Sequence, residues 1–569
     1  MKSGKLTTEH FLYGLAILLA VGLRFIGLGH IPLSDSEASA ALQAASAFQP
    51  GHVIGDAQPG YILLTAASFF FFSSSEFFAR FWPAVFGSLL VLVPYLGRER
   101  LGHRAGVVMA FALALEPSLV AASRQADGRI LAISGFAFVI MFLLRGNAAW
   151  AGIAAGFALL GGPTAWNGLL AILLSWIVFR LTRPSSPENP EPGVTTGRNF
   201  WLGLGGVILF LGTLFGILPG GLSSLANSLI KYFQGWSTAA PEPIFPMLVA
   251  WIGLSPLAII YGISRLFTGL RHKDPVDMAL IWLWGFLLLL VLVYPAHLPI
   301  DIAWAAVPFL ALAARQAAQL QLSPENKLPT LGYAALVMVL LVSLAMNYSG
   351  LIGETPPVDE TLRYGGMLGG LFLLAASLIL VIWGWSWKVA STGAVFGLTV
   401  FLLAYTVSTA WASASLGRHP GMELWVADRY PEGQSLTLKV LGDVSEWNTG
   451  RRNWLDLVVS GIDTPSIRWG LRNYANVNFV DQLPSGIQPG VVITPETQGE
   501  NLGLPSPYTG QALAWGQKVN WSLVSPNEWL RWLVYRDLPM TSELESSQNI
   551  ILWLRSDLFP GAEKTAVNP

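Results

Sequence analysis

The sequence contains no cysteine and few charged residues. Of its 569 residues, only 12% are Asp, Glu, Lys or Arg and 53% are hydrophobic, whereas soluble globular proteins carry about 25% charged residues. The absence of cysteine excludes disulfides, thiolate metal sites and cysteine nucleophiles. The low charge content excludes a soluble secreted enzyme, a nucleic-acid-binding protein and a disordered protein. The 33 basic and 34 acidic residues give no excess for a polyanionic partner.

The charges that do occur are concentrated towards the carboxyl terminus. Residues 412–569 hold 12 basic and 16 acidic side chains, and the first 411 residues hold the other 39. We therefore expect a polytopic membrane domain over residues 1–411 and a water-soluble domain over residues 412–569.

About 13 segments of the first domain are apolar enough to cross a bilayer, which takes about 20 residues per helix. They lie near 10–29, 78–97, 105–122, 130–145, 148–163, 165–180, 199–219, 245–264, 278–296, 299–316, 329–348, 365–386 and 391–411. The first lacks a small-residue cleavage site, which favours a retained anchor over a signal peptide. Residues 59–74 are also apolar, but a span there would place the basic run Arg98–Arg104 outside, so we expect them to lie in the membrane plane or to be re-entrant.

The basic residues favour one orientation of these spans. With the amino terminus inside, six Lys and Arg residues of the membrane domain lie outside and fifteen inside, as the positive-inside rule requires. The fifteen are Lys2, Lys5, Arg98, Arg100, Arg104, Arg145, Arg180, Arg183, Arg198, Arg265, Arg271, Lys273, Arg315, Lys327 and Lys388. An odd number of spans then places the carboxyl-terminal domain outside the cytoplasm. The sequence thus predicts a multi-pass protein of the cell membrane.

Most acidic residues of the membrane domain fall on the predicted outer side, and few charges fall in the middle of a span. Ion-coupled transporters usually place ionisable groups near the midplane, so this pattern disfavours a transporter. It indicates binding or chemistry at the outer face, next to lipid.

The first outer loop carries Asp35 and Glu37 at the start of a predicted surface helix over residues 36–48. A carboxylate there could act as general base on an acceptor hydroxyl. The alternative is a structural role, because Ser34 and Glu37 match the Ser-x-x-Glu pattern of a helix capping box.

The second outer loop carries Arg124, Asp127 and Arg129, with Glu116 before them. Two guanidinium groups beside a carboxylate can hold a phosphate. The alternative is a pair of Arg side chains that reach from helix ends to water.

A third outer turn carries His297 and Asp301. Their four-residue spacing would place both on one helical face, which fits a hydrogen-bonded pair and leaves a divalent metal ion as the alternative.

Several segments resemble the C-type-fold membrane glycosyltransferases, nearest to family 39 with its protein O-mannosyltransferases and aminoarabinose transferases. The segments are RFIGLGHIPLSDSEA, EPSLVAASRQADGR and AGIAAGFALLGGPTAWNGLLAILL. The resemblance implies a polyprenyl-phosphate sugar as donor, an inverting transfer outside the membrane and a catalytic acidic residue in the first outer loop. In the family this residue usually belongs to an Asp-Glu pair, whereas here Ser36-Glu37 occupies the place and Asp35 lies one residue earlier.

The second loop also departs from the family pattern, in which an Arg and then an acidic residue follow a Ser-Arg pair. Arg124 keeps its place, but Asp127 stands near the Arg position and Arg129 near the acidic one. These displacements favour an alternative, a non-catalytic protein of the same fold that binds lipid-linked sugars or assists their flipping or assembly. The carboxyl-terminal region is similar to a bacterial and archaeal subgroup, some of which are associated with lipid-linked sugar flipping.

The carboxyl-terminal domain is expected to be a compact α/β unit. The predicted strands are 435–442, 466–474, 477–481, 490–495 and 550–556, and the predicted helices are 450–460 and 526–536. We expect Trp529 and Trp532 to pack in a core, with stacking on a sugar as the alternative.

The sequence therefore predicts a membrane all-α glycosyltransferase with a soluble α/β domain. Asp35 or Glu37 would be the base, Arg124 and Arg129 would stabilise the departing phosphate, and Asp127 would orient one of them. Further contacts to the donor head group are expected from His297, Asp301 and Arg363. The expected partners are the bilayer, a polyprenyl-phosphate-linked sugar and a glycan, lipid or protein acceptor, with no nucleic acid.

Overall fold

The structure is a computed structural model that describes residues 7–51, 53–182, 197–238, 243–321, 326–353, 360–417, 423–425, 432–484, 486–498, 504, 506–538 and 545–558. Lys2, Lys5 and Arg183, on which the predicted orientation partly rests, lie outside the described residues.

The described part of the membrane domain consists of helices α1 to α19. The first ten are α1 (Thr8–Phe25), α2 (Asp35–Ser46), α3 (Pro59–Phe72), α4 (Glu76–Leu89), α5 (Val93–Leu101), α6 (His103–Leu115), α7 (Pro117–Ala122), α8 (Arg129–Leu144), α9 (Ala148–Leu159) and α10 (Thr164–Thr182). The others are α11 (Arg198–Phe210), α12 (Gly220–Gly235), α13 (Ile244–Leu254), α14 (Pro256–His272), α15 (Pro275–Val293), α16 (Ile302–Ala317), α17 (Lys327–Ile352), α18 (Glu360–Gly384) and α19 (Trp387–Ser413).

Each predicted span contains a helix in the structure, although the helix in 199–219 ends at Phe210 and the span 105–122 is interrupted at Glu116. Among the described residues, eight helices are long and apolar enough to cross a membrane, or nine if α13 and α14 form one bent span. Four further predicted spans are the shorter apolar helices α6, α8, α9 and α11. Large apolar side chains such as Phe372, Leu380 and Trp383 of α18 are exposed on the bundle surface, as expected for helices that face lipid.

The predicted span 245–264 is broken rather than straight. It divides at Ser255 into α13 and α14, which are bent by 95°. Pro256 stands at the first position of α14. Because proline has no backbone N–H and clashes with the preceding turn, it ends one helix and begins the next.

Most of the apolar segment 59–74 forms helix α3, which is buried except for its last turn. Its 14 residues extend about 21 Å, short of a hydrocarbon core of about 30 Å. This length fits the prediction that the segment does not cross the membrane as a straight span.

The carboxyl-terminal domain is an α/β unit, as predicted. Its described elements are α20 (Glu432–Thr449), β1 (Leu457–Ser460), α21 (Pro465–Leu471), β2 (Val477–Val480), β3 (Val491–Pro495), β4 (Tyr508–Val519), α22 (Pro526–Tyr535) and β5 (Glu545–Arg555). The strands form one sheet in the order β2-β1-β3-β5-β4. Strand β1 is parallel to β2 and β3, whereas β5 is antiparallel to β3 and β4.

Three element predictions in this domain were wrong. Residues 435–442 and 466–474 are helical, and 450–460 ends in strand β1. Helix α20, which contains the first segment, buries Leu441 and then Val444, a helical spacing of three. The second begins with Thr464, whose side chain accepts a hydrogen bond from Ile467 N, and with Pro465 at the first helical position, which are start signals of a helix.

The carboxyl-terminal domain rests on one end of the helical bundle, here called the domain face. Trp469 Nε1 donates to Glu76 Oε1 at 2.8 Å and Arg472 Nη2 donates to the Ser74 carbonyl at 3.1 Å. Trp529 and Trp532 are buried in one apolar cluster with residues of α13, so their predicted packing role is confirmed.

The opposite end of the bundle, here called the N-terminal face, holds the start of α1 and the turn between α5 and α6. There Glu9 lies 3.9 Å from Arg98 Nε and 3.1 Å from His103 Nδ1. The two faces carry different groups of charged side chains.

Candidate active site at the domain face

Three loops converge beneath the carboxyl-terminal domain. Backbone amides of the α7–α8 loop donate to side chains of the first loop, Ala126 N to Glu37 Oε1 at 2.8 Å and Gly128 N to Gln58 Oε1 at 2.5 Å. The third loop joins them through Arg129 Nε, which lies 3.0 Å from Asp301 Oδ1. The structure thus brings together five of the predicted site residues from separate parts of the chain: Glu37, Arg124, Asp127, Arg129 and Asp301.

Glu37 is the most completely hydrogen-bonded of these groups. Arg80 Nε and Nη2 donate to its two oxygens at 2.8 and 2.7 Å, and Ser34 N donates at 3.0 Å. Together with the amide of Ala126, these donors occupy about all four lone-pair sites of a carboxylate. Ser34 Oγ accepts from Glu37 N, so the predicted capping box is confirmed.

These contacts also determine the ionisation of Glu37. Burial acts to raise its pKa, but the charge and hydrogen bonds of Arg80, with the amides of Ser34 and Ala126, outweigh burial and hold the pKa below its ordinary value. A carboxylate with a low pKa and no spare lone pair is a poor proton acceptor. The contacts of Glu37 therefore stabilise the first outer loop, between α1 and α2.

Sequence reasoning missed Arg80, the partner of Glu37. Its guanidinium also donates to the carbonyls of Ile31 at 2.7 Å and Pro32 at 2.9 Å, so it fixes the whole loop between α1 and α2. The pair is separated by 43 residues, and no local pattern in the sequence connects them.

Asp35 differs from Glu37 in its environment. The carboxylate is partly exposed, and Oδ1 accepts from Ser466 N at 3.0 Å, in the first turn of α21. In the part of the chain that the structure describes, this is its one hydrogen bond. Asp35 therefore keeps free acceptor capacity at the interface of the two domains.

Asp127, Arg129 and Asp301 form an ion cluster at the start of α8. Arg129 Nη1 lies 3.0 Å from Asp127 Oδ2 and its Nε lies 3.0 Å from Asp301 Oδ1. Burial raises the pKa of Asp127; Arg129 opposes this rise, and the carboxylates of Asp301 and Glu37 add to it. The cluster carries one positive and two negative groups, and both carboxylates are ion-paired with Arg129.

Arg124 caps the end of α1. Its Nη1 donates to the carbonyls of Leu23, Arg24 and Ile26 at 3.0, 3.1 and 2.8 Å, which are among the carbonyls that a helix end leaves unpaired. Burial, and then the nearby charge of Arg80, lower its pKa to about 10. Within the described residues, Nε and Nη2 of Arg124 make no hydrogen bond.

His297 and Asp301 do not form the expected pair on one helical face. His297 precedes the helical turn of Pro299–Asp301, so the four-residue spacing does not apply. Its Nδ1 is 2.8 Å from the Tyr294 carbonyl, whereas its buried Nε2 has no hydrogen-bond partner among the described residues. Those residues also contain no group of three or more metal-ligating side chains.

Arg363 lies apart from the other candidates. Its Nη1 is 3.5 Å from the Met346 carbonyl of α17, and its side chain covers Gly350 of the same helix. The structure does not place Arg363 in the cluster, because it belongs to the hairpin of α17 and α18.

Two buried charges inside the bundle were not expected. Arg24 is fully buried and donates to Ser123 Oγ and to the carbonyls of Leu113 and Ala114. Glu116, predicted in an outer loop, lies between α6 and α7 and accepts from Ser255 Oγ at 2.9 Å. It therefore contacts the break between α13 and α14 and is absent from the loop cluster.

Comparison with known proteins finds similar structures but no match by sequence. No family model and no curated protein matches the chain by sequence. The structure is similar to that of ArnT from Cupriavidus metallidurans bound to undecaprenyl phosphate, with a TM-score of 0.56 and 15% identity, over 97% of this chain and 100% of that chain. Against ArnT in the apo state, the TM-score is 0.53 with 14% identity over the same shares. The chain therefore has the C-type fold of the membrane glycosyltransferases.

Proposed function

We propose that the chain is a membrane glycosyltransferase that moves a sugar from a polyprenyl-phosphate donor to an acceptor at the domain face. One observation carries this proposal: in a fold shared with a structure that binds undecaprenyl phosphate, three distant loops bring guanidinium groups and carboxylates together under the carboxyl-terminal domain. Guanidinium groups suit a phosphate leaving group, and a carboxylate suits proton abstraction from an acceptor.

The contacts divide the proposed roles among the acidic residues. Asp35 is the proposed base, because it has spare acceptor capacity and is partly exposed. Glu37 is a positioning residue, because its oxygens are occupied by Arg80 and two amides. Asp127 orients Arg129.

The cations would receive the charge that develops on the phosphate. Arg124 retains Nε and Nη2 for a phosphate oxygen, since Nη1 is committed to α1. His297, whose buried Nε2 has no partner among the described residues, is a further candidate for the donor head group.

The proposed reaction inverts the anomeric carbon. The acceptor oxygen attacks from the side opposite the phosphate, its proton passes to Asp35, and the bond from the anomeric carbon to the phosphate oxygen breaks. Polyprenyl phosphate leaves with the bonding electron pair, and Arg124 and Arg129 stabilise its added charge. The acceptor is a hydroxyl of a glycan, lipid or protein.

We further propose that the domain face lies outside the cytoplasm and that the soluble domain begins near residue 412. The fifteen-to-six distribution of basic residues in the membrane domain supports this orientation, and α19 ends at Ser413.

The test measures binding and transfer separately on the purified full chain. Undecaprenyl phosphate is titrated first, and then loss of label is followed from an undecaprenyl-phosphate-linked sugar, with a membrane extract as the source of acceptors. Asp35→Asn should lower transfer by about 10²–10⁴-fold and leave undecaprenyl phosphate binding unchanged. The matched control is Asp463→Asn, because Asp463 is an exposed carboxylate near the same interface, paired with Arg468.

The outcomes separate the hypotheses. Equal transfer by Asp35→Asn and the control would remove Asp35 as the base. Binding by the wild-type chain without any transfer would favour the non-catalytic alternative, and absence of binding would contradict the proposed function altogether.

A further inference from the structure

A basic cavity opens at the N-terminal face, away from the proposed active site. It has a volume of about 340 Å³ and is lined by the turn between α5 and α6, by Arg104, by Arg265 of α14 and by Arg315 and Gln319 of α16. No acidic residue lines it among the described residues. The cavity is far from the proposed active site. Asp301 of that site and Arg315 of the cavity lie at the two ends of α16, 14 positions apart, which corresponds to about 21 Å along the helix.

From this cavity we infer a second binding site, which takes the phosphate head group of an anionic membrane lipid. Arg104 is exposed and has no ion pair or hydrogen-bond partner among the described residues. Its charge is therefore available to a ligand, in contrast to the charges of Arg265 and Arg315.

Arg265 and Arg315 are held in place by ion pairs with Asp277, which does not line the cavity. Arg265 Nη2 lies 2.6 Å from Asp277 Oδ2, and Arg315 Nε lies 2.7 Å from Asp277 Oδ1. Arg315 also pairs with Asp274. The Nε of Arg265 remains buried without a hydrogen-bond partner in the described part of the chain, and a buried donor of this kind favours an added acceptor.

The start of α6 contributes backbone donors to the same cavity. Gly102 precedes the helix with a φ of +96°, and no side chain caps its first turn. His103, Arg104 and Ala105 line the cavity, and their amides are among the first four N–H groups that a helix leaves unpaired. Such amides and the positive end of the helix dipole favour an anion.

The surroundings favour a lipid as the source of the phosphate. The cavity lies where α5 and α16 end and α6 begins, at the ends of membrane helices, where the head group of a lipid is found. Basic pockets between membrane helices on the inner side are suited to anionic lipid head groups, and the basic residues place this face inside. A soluble phosphate compound has the same head-group chemistry, so the experiment must separate the two sources.

The experiment uses the purified full chain in detergent with equal amounts of phosphatidylglycerol and phosphatidylcholine, and native mass spectrometry counts the bound lipids. We expect each wild-type chain to retain one phosphatidylglycerol molecule. Arg104→Glu changes the pocket by two charges, each worth roughly fivefold at a membrane surface, and should weaken retention by about 30-fold. Gln319→Glu adds one negative charge and should weaken it by about fivefold.

Two control variants carry the same changes outside the cavity. Arg271→Glu alters an exposed residue of the last turn of α14, and Gln321→Glu alters an exposed residue just beyond α16. Both should retain phosphatidylglycerol within about twofold of the wild-type chain. Wild-type retention by Arg104→Glu and Gln319→Glu, or equal retention of phosphatidylcholine, would overturn the site. Displacement of the lipid by an equal concentration of glycerol 3-phosphate would overturn the lipid as the source.

Discussion

The two ends of the helical bundle hold buried ion clusters of opposite composition. At the domain face, Arg129 lies between Asp127 and Asp301. At the N-terminal face, Asp277 lies between Arg265 and Arg315. Among these three buried side chains at each end, the domain face has two acids around a base and the N-terminal face has two bases around an acid. The more exposed Asp274 also pairs with Arg315.

The comparison distinguishes residues that stabilise the fold from residues that are proposed to bind a ligand. In both clusters the most buried charge forms an ion pair with protein side chains, and removal of one partner of such a pair is costly. The groups proposed to bind ligands are neighbours with unoccupied hydrogen-bonding atoms: Asp35 and Arg124 at the domain face, and Arg104 at the N-terminal face. Glu37 and Asp277 instead hold structural partners: Glu37 pairs with Arg80, and Asp277 pairs with Arg265 and Arg315.

The strongest way to test this comparison is to remove the central acid of the N-terminal face. Asp277→Asn leaves Arg265 and Arg315 buried beside a neutral amide, so we expect a loss of about 3–5 kcal/mol in the free energy of unfolding. Asp127→Asn should cost less, because Arg129 keeps Asp301 as a partner. Detergent-solubilised chains unfolded with denaturant give both values.

The control for Asp277→Asn is Asp274→Asn. Asp274 also pairs with Arg315, but its side chain is 35% exposed, so its loss should cost at most about 1 kcal/mol. Equal costs for both variants would show that burial of Asp277 does not determine the stability of the cluster.

The sequence allowed the membrane architecture to be predicted much better than the ion clusters. Apolar runs of about 20 residues identify spans, because a bilayer requires every backbone group to be paired within the helix. The broken span at Ser255 carries a visible signal in Pro256. Pairs such as Glu37 with Arg80 join residues 43 positions apart, and tertiary packing alone brings them together.

Only part of the candidate site could be predicted, because local sequence signals locate its loops but not its long-range pairs. Its loops could be located from the placement of acidic and basic residues at predicted helix ends, and the capping box at Ser34 follows a local rule. The division of roles between Asp35 and Glu37 could not be foreseen, because it depends on Arg80 and on the amides of Ala126 and Ser466.

A smaller effect is expected when Glu37 loses its charge. Glu37→Gln keeps the shape but weakens the bonds from Arg80, so we expect a loss of about 2–3 kcal/mol near neutral pH. Because the folded pKa of Glu37 lies below the unfolded value of about 4.3, the wild-type chain has this advantage above that pH and loses it as the pH falls further.

The check is to measure the free energies of unfolding of the wild-type chain and of Glu37→Gln from pH 7 to about pH 3. The difference between them should stay constant down to about pH 5 and shrink below about pH 4. A difference that grows on acidification would mean that the carboxyl is stabilised in its protonated form, and Glu37 would then regain a place as proton acceptor.

The smallest effect on stability is expected at Arg124, where binding and holding are combined in one side chain. Nη1 holds the carbonyls at the end of α1, and Nε and Nη2 are the groups proposed for the phosphate. In Arg124→Lys, a single ammonium can approach the carbonyls or the phosphate but lacks the planar fork that serves both. The free energy of unfolding should change by less than about 1 kcal/mol, whereas undecaprenyl phosphate affinity should fall by about tenfold, the value of one charged hydrogen bond. Arg271→Lys, the same change at an exposed position of the N-terminal face, should leave that affinity unchanged. If Arg124→Lys binds undecaprenyl phosphate as tightly as this control, Arg124 is only a helix cap, and the domain face must hold its phosphate through Arg129 and His297.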